Sequence, residues 1–149
     1  MEFIVEQLPE QSVIYKRRIG AYGSENYELM SALKEWATHK GLFVNSVIYG
    51  IAQDNPANTP SEKCRYDVCL VATHDYPIDE SVECGIILGG IYAVFTILHT
   101  ANAVQEFWSY LYQKLHERGL QIDTERPILE RYSYKMVEDG KCEFCVPIQ

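Results

Sequence analysis

Residues 107–120 read Phe107-Trp108-Ser109-Tyr110-Leu111-Tyr112-Gln113-Lys114-Leu115-His116-Glu117-Arg118-Gly119-Leu120. Phe107, Trp108, Leu111 and Leu115 recur at three-to-four spacing, the mark of a helix with one apolar side, and the pattern runs back to Ala103. Gly119 after Arg118 predicts its C-terminal stop. The same ending stands earlier: Lys40-Gly41-Leu42 closes a stripe of Tyr27, Met30, Leu33, Trp36 and Ala37, read as core-facing. Ser24 is the predicted N-cap of that first helix, with Glu25 and Glu28 favourable to its dipole. Lys63-Cys64 likewise matches Lys141-Cys142, and the two offsets agree (119 − 41 and 141 − 63 both give 78). In that register Leu33 falls on Leu111, Met30 on Trp108 and Tyr66 on Phe144.

Around the two helices lie extended segments. Phe3–Leu8 and Ser12–Ala21 precede the first helix; 46–52 and Lys63–Thr73 follow it, the last with Cys64, Tyr66, Val68 and Leu70 alternating. Gly89–Ile97 precedes the second helix, and Ile128–Lys135 and Cys142–Ile148 follow. The chain therefore reads as one α+β domain over residues 1–149. It is built from a strand–helix–strand–strand module repeated over roughly 1–75 and 84–149. One helix per half covers one face of a shared, antiparallel-rich sheet, and the expectation is a ligand cleft on the other face.

The strand Pro127-Ile128-Leu129-Glu130-Arg131-Tyr132-Ser133-Tyr134 carries Ile128, Glu130, Tyr132 and Tyr134 on one face at period two. A carboxylate among aromatics is ordinary if that face is solvated. If it lines a cavity, it suits a lipophilic cation. The repeat sets Glu130 opposite Ala52, so the acid is an addition to the second half. The formal charge of −8 argues against direct contact with nucleic acid or an anionic membrane, which need a basic surface. No signal peptide is read at Met1–Glu6, and the apolar run 85–98 is too short to span a bilayer. Five cysteines in such a chain are expected to be reduced thiols in the cytoplasm.

Taken together, Gly90-Ile91-Tyr92-Ala93-Val94-Phe95, the helix Phe107–Leu111 with its stop Arg118-Gly119-Leu120, Pro127-x-x-Glu130-x-Tyr132 and Val146-Pro147-Ile148 resemble, in order and spacing, the GyrI-like family. That family includes the effector-binding domains of AraC- and MerR-type bacterial multidrug regulators. The resemblance implies a duplicated strand–helix–strand–strand (SHS2) fold with a ligand cleft at the junction, and Glu130 in that cleft meeting the charge of lipophilic cationic drugs. With all 149 residues used by the duplicated domain, the chain is similar to the stand-alone members, which include modulators of DNA gyrase and hydrolases of cyclopropane-bearing cytotoxins. Three functions follow. They are capture of lipophilic cations as a sensor or sequestering module, hydrolysis of an electrophilic small molecule with Glu130 as base and Tyr132 as proton partner, and interaction with a protein partner such as gyrase or a regulator.

Further wall residues of the cleft are expected among Tyr49, Phe144, Tyr92, Trp108, Trp36 and Tyr22, weighed against the ordinary role of such aromatics in a core. No metal and no cofactor are expected. Cys142-Glu143-Phe144-Cys145 is a CxxC, but in a strand its two sulfurs point to opposite faces, so buried structural thiols are the better reading. His39, His74, His99 and His116 lack ligand spacing, and neither a Gly-x-Ser-x-Gly nor a phosphate loop is present.

Overall fold

The computed structural model describes residues 2–42, 46–73 and 75–149; His74 lies outside them. The elements run β1 (Phe3–Leu8), β2 (Gln11–Ile19), α1 (Glu25–His39), β3 (Val47–Ala52) and β4 (Arg65–Val71). The second series is β5 (Glu83–Ile87), β6 (Gly90–Leu98), α2 (Ala101–Glu117), β7 (Leu129–Ser133), α3 (Tyr134–Glu138) and β8 (Lys141–Pro147). The fold is α+β, with one eight-stranded antiparallel sheet ordered β1-β6-β8-β7-β3-β4-β2-β5. That order maps onto itself when each strand of the first series is exchanged for its counterpart in the second. The first strand of each series pairs outside it: β1 lies on β6, and β5 lies on β2.

The two helices end alike. Leu42 N–H donates to Ala37 O at 2.8 Å and Leu120 N–H to Leu115 O at 2.9 Å, with Gly41 at φ +70° and Gly119 at φ +67°. These are Schellman stops, which need a residue that tolerates the left-handed region. Ser24 stands at the N-cap of α1 but its side chain caps nothing, whereas Thr100 accepts from the Ala103 N–H and starts α2 two residues before Ala103. The 78-residue shift also carries the β3–β4 register onto β7–β8, whereas the β6–β8 register is offset by one residue from that of β2–β4. The partners Ile51–Asp67 and Ala52–Tyr66 become Leu129–Cys145 and Glu130–Phe144.

Leu33 and Ala37 of α1 pack on Ile48, Tyr66, Val68 and Leu70; Phe107, Leu111 and Leu115 of α2 pack on Ala93, Phe95, Phe144 and Val146. Both helices share one face. The opposite face is not a cleft. Leu8, Val13, Tyr49, Ile51, Cys69, Ile87, Tyr92, Val94, Leu129 and Cys145, drawn from all eight strands, form one buried cluster there. The sheet curls until that face closes on itself, as the inherent twist of strands allows. The cleft therefore lies on the helix-bearing face, where each helix covers its own half and the β7–β3 seam stays open.

Two elements depart from the sequence reading. Residues 83–87, read as part of a link and the approach to a strand, form edge strand β5. The 128–135 segment stops being extended at Ser133, whose hydroxyl accepts from Met136 N–H and caps α3, so Tyr134 opens a helix.

Candidate functional site

Alternation along β7 sends Leu129 and Arg131 to the closed face and Glu130 and Tyr132 to the helix face. Glu130 faces Gly50 across the seam. A Cβ at Gly50 would collide with the Tyr66 hydroxyl and lie 2.9 Å from Oε1 of Glu130, so glycine is what leaves room for the pair. Into that space the Tyr66 hydroxyl donates to Glu130 Oε1 at 2.9 Å, and the Tyr132 hydroxyl donates to Oε2 at 3.1 Å.

Above this trio lies a cleft of about 620 Å³. Tyr66, Glu130 and Tyr132 form its floor, and α1 supplies Asn26, Tyr27, Met30 and Lys34 as one wall. His99, Thr100, Ala101, Val104 and Gln105, at the start of α2, form the other, and Val137 of α3 closes one side. The His99 ring centroid stands 5.4 Å from that of Tyr132. A volume of several hundred cubic ångströms, mostly apolar walls and a few fixed polar groups are what a small-molecule site requires.

Burial raises the Glu130 carboxyl above its ordinary 4.5, while the hydrogen bonds from Tyr66 and Tyr132 pull it back. Burial first, then the Glu130 charge, raises both phenols, which therefore stay protonated and keep donating. The site is thus an anion held by two fixed donors, with solvation withheld on most sides. Such a group gains most when a cation or strong donor arrives.

Of the residues singled out in the sequence, the structure brings Glu130 and Tyr132 together in the cleft. The others are elsewhere. Tyr49 and Tyr92 have the opposite strand parity and sit in the closed-face core; Tyr49 takes a hydrogen bond from Gln11, and Tyr92 donates to Leu88 O at 2.7 Å. Phe144 shares the helix-side parity but is stacked on Phe107, centroids 4.2 Å apart, beneath α2. Trp108 meets Phe107 and Phe144 edge-on with its outer side exposed. Trp36 donates to Asp79 at 3.0 Å. Tyr22 binds Arg65 O and Asp54 N–H behind Tyr66, outside the lining. Tyr27 and Met30 belong to the stripe read as core-facing, yet both line the cleft, and so does Tyr66 of the alternating strand, from within the α1 core. Tyr27 is 74% exposed because the first turns of α1 overhang the seam instead of the sheet.

Cys142 lies in the α2 core and Cys145 in the closed-face core, divergent as their i, i+3 spacing dictates. Burial, aided by the Glu130 charge, pushes the Cys142 thiol up to about 11. Among the described residues no group of three or more His, Cys, Asp or Glu could hold a metal ion, and no helix is long and apolar enough to cross a membrane.

The family described as GyrI-like small molecule binding domain matches residues 1–149. The SPbeta prophage-derived protein YosT of Bacillus subtilis (strain 168), whose name proposes a role in transcriptional regulation, is 44% identical over 150 residues, 100% of both chains. The crystal structure of the EcmrR C-terminal domain superposes with a TM-score of 0.76 at 14% identity, covering 99% of this chain and 97% of that domain. Against EcmrR in its DNA complex the chain spans 57% of the length. SAV2435 bound to tetraphenylphosphonium gives a TM-score of 0.65 at 14% identity, over 100% of this chain and 94% of that one.

Proposed function

Because the chain belongs to the GyrI-like small-molecule binding family, we propose that its ligands are lipophilic cations, taken into the helix-face cleft with Glu130 as counter-charge. It then acts as a sensor or sequestering module. The observation that carries this is the Glu130 carboxylate fixed by Tyr66 and Tyr132 at the floor of an otherwise largely apolar cleft. A buried carboxylate is costly alone and strongly favours a partner of opposite charge. The phenol faces add attraction for a cation that sits over them. The fold shared with SAV2435, whose structure holds the lipophilic cation tetraphenylphosphonium, supports the same reading.

Neither tryptophan lines the cleft, so calorimetry is a surer readout than intrinsic fluorescence. Titration with tetraphenylphosphonium is expected to saturate at one site. Glu130→Gln keeps the shape and is expected to weaken binding about 100-fold, the cost of losing one buried charge partner. Equal affinity in both proteins overturns the reading.

A second reading is favoured by one distance, the 3.1 Å from Tyr132 hydroxyl to Glu130 Oε2 beside an open cleft. Glu130 can take a proton from water as its oxygen adds to an electrophilic ring carbon; the ring bond to that carbon breaks, and its freed end, still attached, receives the proton back from Glu130, whose carboxyl Tyr132 holds in place. Hydrolysis adds one water to the ligand mass, and Glu130→Gln abolishes it. An unchanged mass after long incubation leaves binding as the activity.

A further inference from the structure

We propose that the cleft selects dipolar ligands: a lipophilic body whose cationic end meets Glu130 and whose carboxylate, or comparable anionic group, is received by Lys34. The inference rests on the reading of Glu130 given above and names the ligand class more narrowly. A second pocket of about 220 Å³ adjoins the cleft and shares Lys34, Tyr132 and Val137 with it as a common wall. Ser46, Ile48 and Ser133 contribute to its remaining lining. The small pocket is lined almost wholly by apolar surface and suits part of the lipophilic body, which leaves the anionic group on the cleft side of Lys34.

Lys34 is not a stray surface lysine. Tyr27, Met30 and Lys34 recur at three- and four-residue spacing on one side of α1, and that side is the cleft wall. Like most of the lysines, Lys34 forms no ion pair among the described residues; it alone among the basic residues lines both cavities. Glu138 of α3 also borders the small pocket, on its exposed flank, and does not pair with Lys34. A ligand bearing only positive charge would satisfy Glu130 and be repelled by Lys34 in the same space. A ligand with an anionic group at its far end satisfies both.

The test uses a rhodamine zwitterion with a free benzoate and its ethyl ester, which share one cationic chromophore and differ in the anionic group. Fluorescence polarisation gives both affinities at low salt, where charge contacts are least screened. The natural protein is expected to bind the zwitterion threefold or more tighter than the ester, about what one partly exposed charge contact supplies. Lys34→Met is expected to erase that preference, and Glu138→Gln, which removes a competing carboxylate, to enlarge it. A preference for the ester, or one that survives Lys34→Met, overturns the proposal. Glu130→Gln separates the two readings: if it leaves both affinities unchanged, the Glu130 reading fails, and this proposal fails with it.

Discussion

Tyr66 and Phe144 occupy the same place in the two halves of the molecule, on strands whose partners superimpose under one shift. One is a phenol reaching Glu130; the other is a bare ring pressed flat on Phe107. Facing them, Ala52 and Glu130 are likewise equivalent, and only one has chemistry. The helices, their stops and the β3–β4 register obey the repeat. The site is made where the repeat is broken, so stability and function draw on different residues of one plan.

Five substitutions probe that division. Phe144→Ala, on the core side, removes the ring between Phe107 and Trp108 and is expected to cost about 3–5 kcal/mol, read as a fall in thermal midpoint. A smaller loss than for the hydroxyl at Tyr66 would invert the comparison. Gly50→Ala forces a Cβ against the Tyr66 hydroxyl and Glu130; a loss of about 2 kcal/mol and of ligand binding together is expected in melts and calorimetry.

Tyr66→Phe keeps the ring and deletes one donor to Glu130, at about 1.5 kcal/mol. Its size depends on pH. Glu130 holds its proton more tightly folded than unfolded, so its contribution favours the fold below about 4.5 and is lost as pH rises through the raised folded value. The Tyr66 bond offsets part of that loss. The variant's penalty should therefore fade on acidification, and the pH midpoint of cation binding should move further up. Gly41→Ala and Gly119→Ala are the smallest pair. Each places a Cβ in the left-handed region with open space around it, and each should cost about 1 kcal/mol. Equal losses would confirm that the stops are equivalent; unequal ones would show where the halves differ in stability.

The parts that follow the repeat were legible because each is a local pattern: a helical stripe, a glycine stop, an alternation. Glu130 stood out because it breaks one. The side of the sheet that holds the cleft was not legible, since alternation sorts residues onto two faces but does not say toward which the sheet curls. Tyr27 and Met30 share their spacing with Leu33 and Ala37, and only the position of α1 over the seam separates wall from core. β5 was missed because Cys84 and Ile86 face solvent on an edge strand whose partner, β2, lies some seventy residues away. α3 was missed because Tyr134 continues the alternation that Ser133 in fact caps.

The exchange of edge strands between the halves has a consequence for how the chain is made. β1 is made before its partner β6, which begins only at Gly90, so at ordinary elongation rates β1 waits on the order of several seconds without that mate. During that time Ile4 and Val5, exposed even in the finished sheet, are part of an open strand edge. The first half cannot be completed when its own residues are finished, and neither half is a unit that a shorter chain could use alone. A symmetric strand order of this kind thus makes a domain in which β1 can be placed only after β6 has been synthesised.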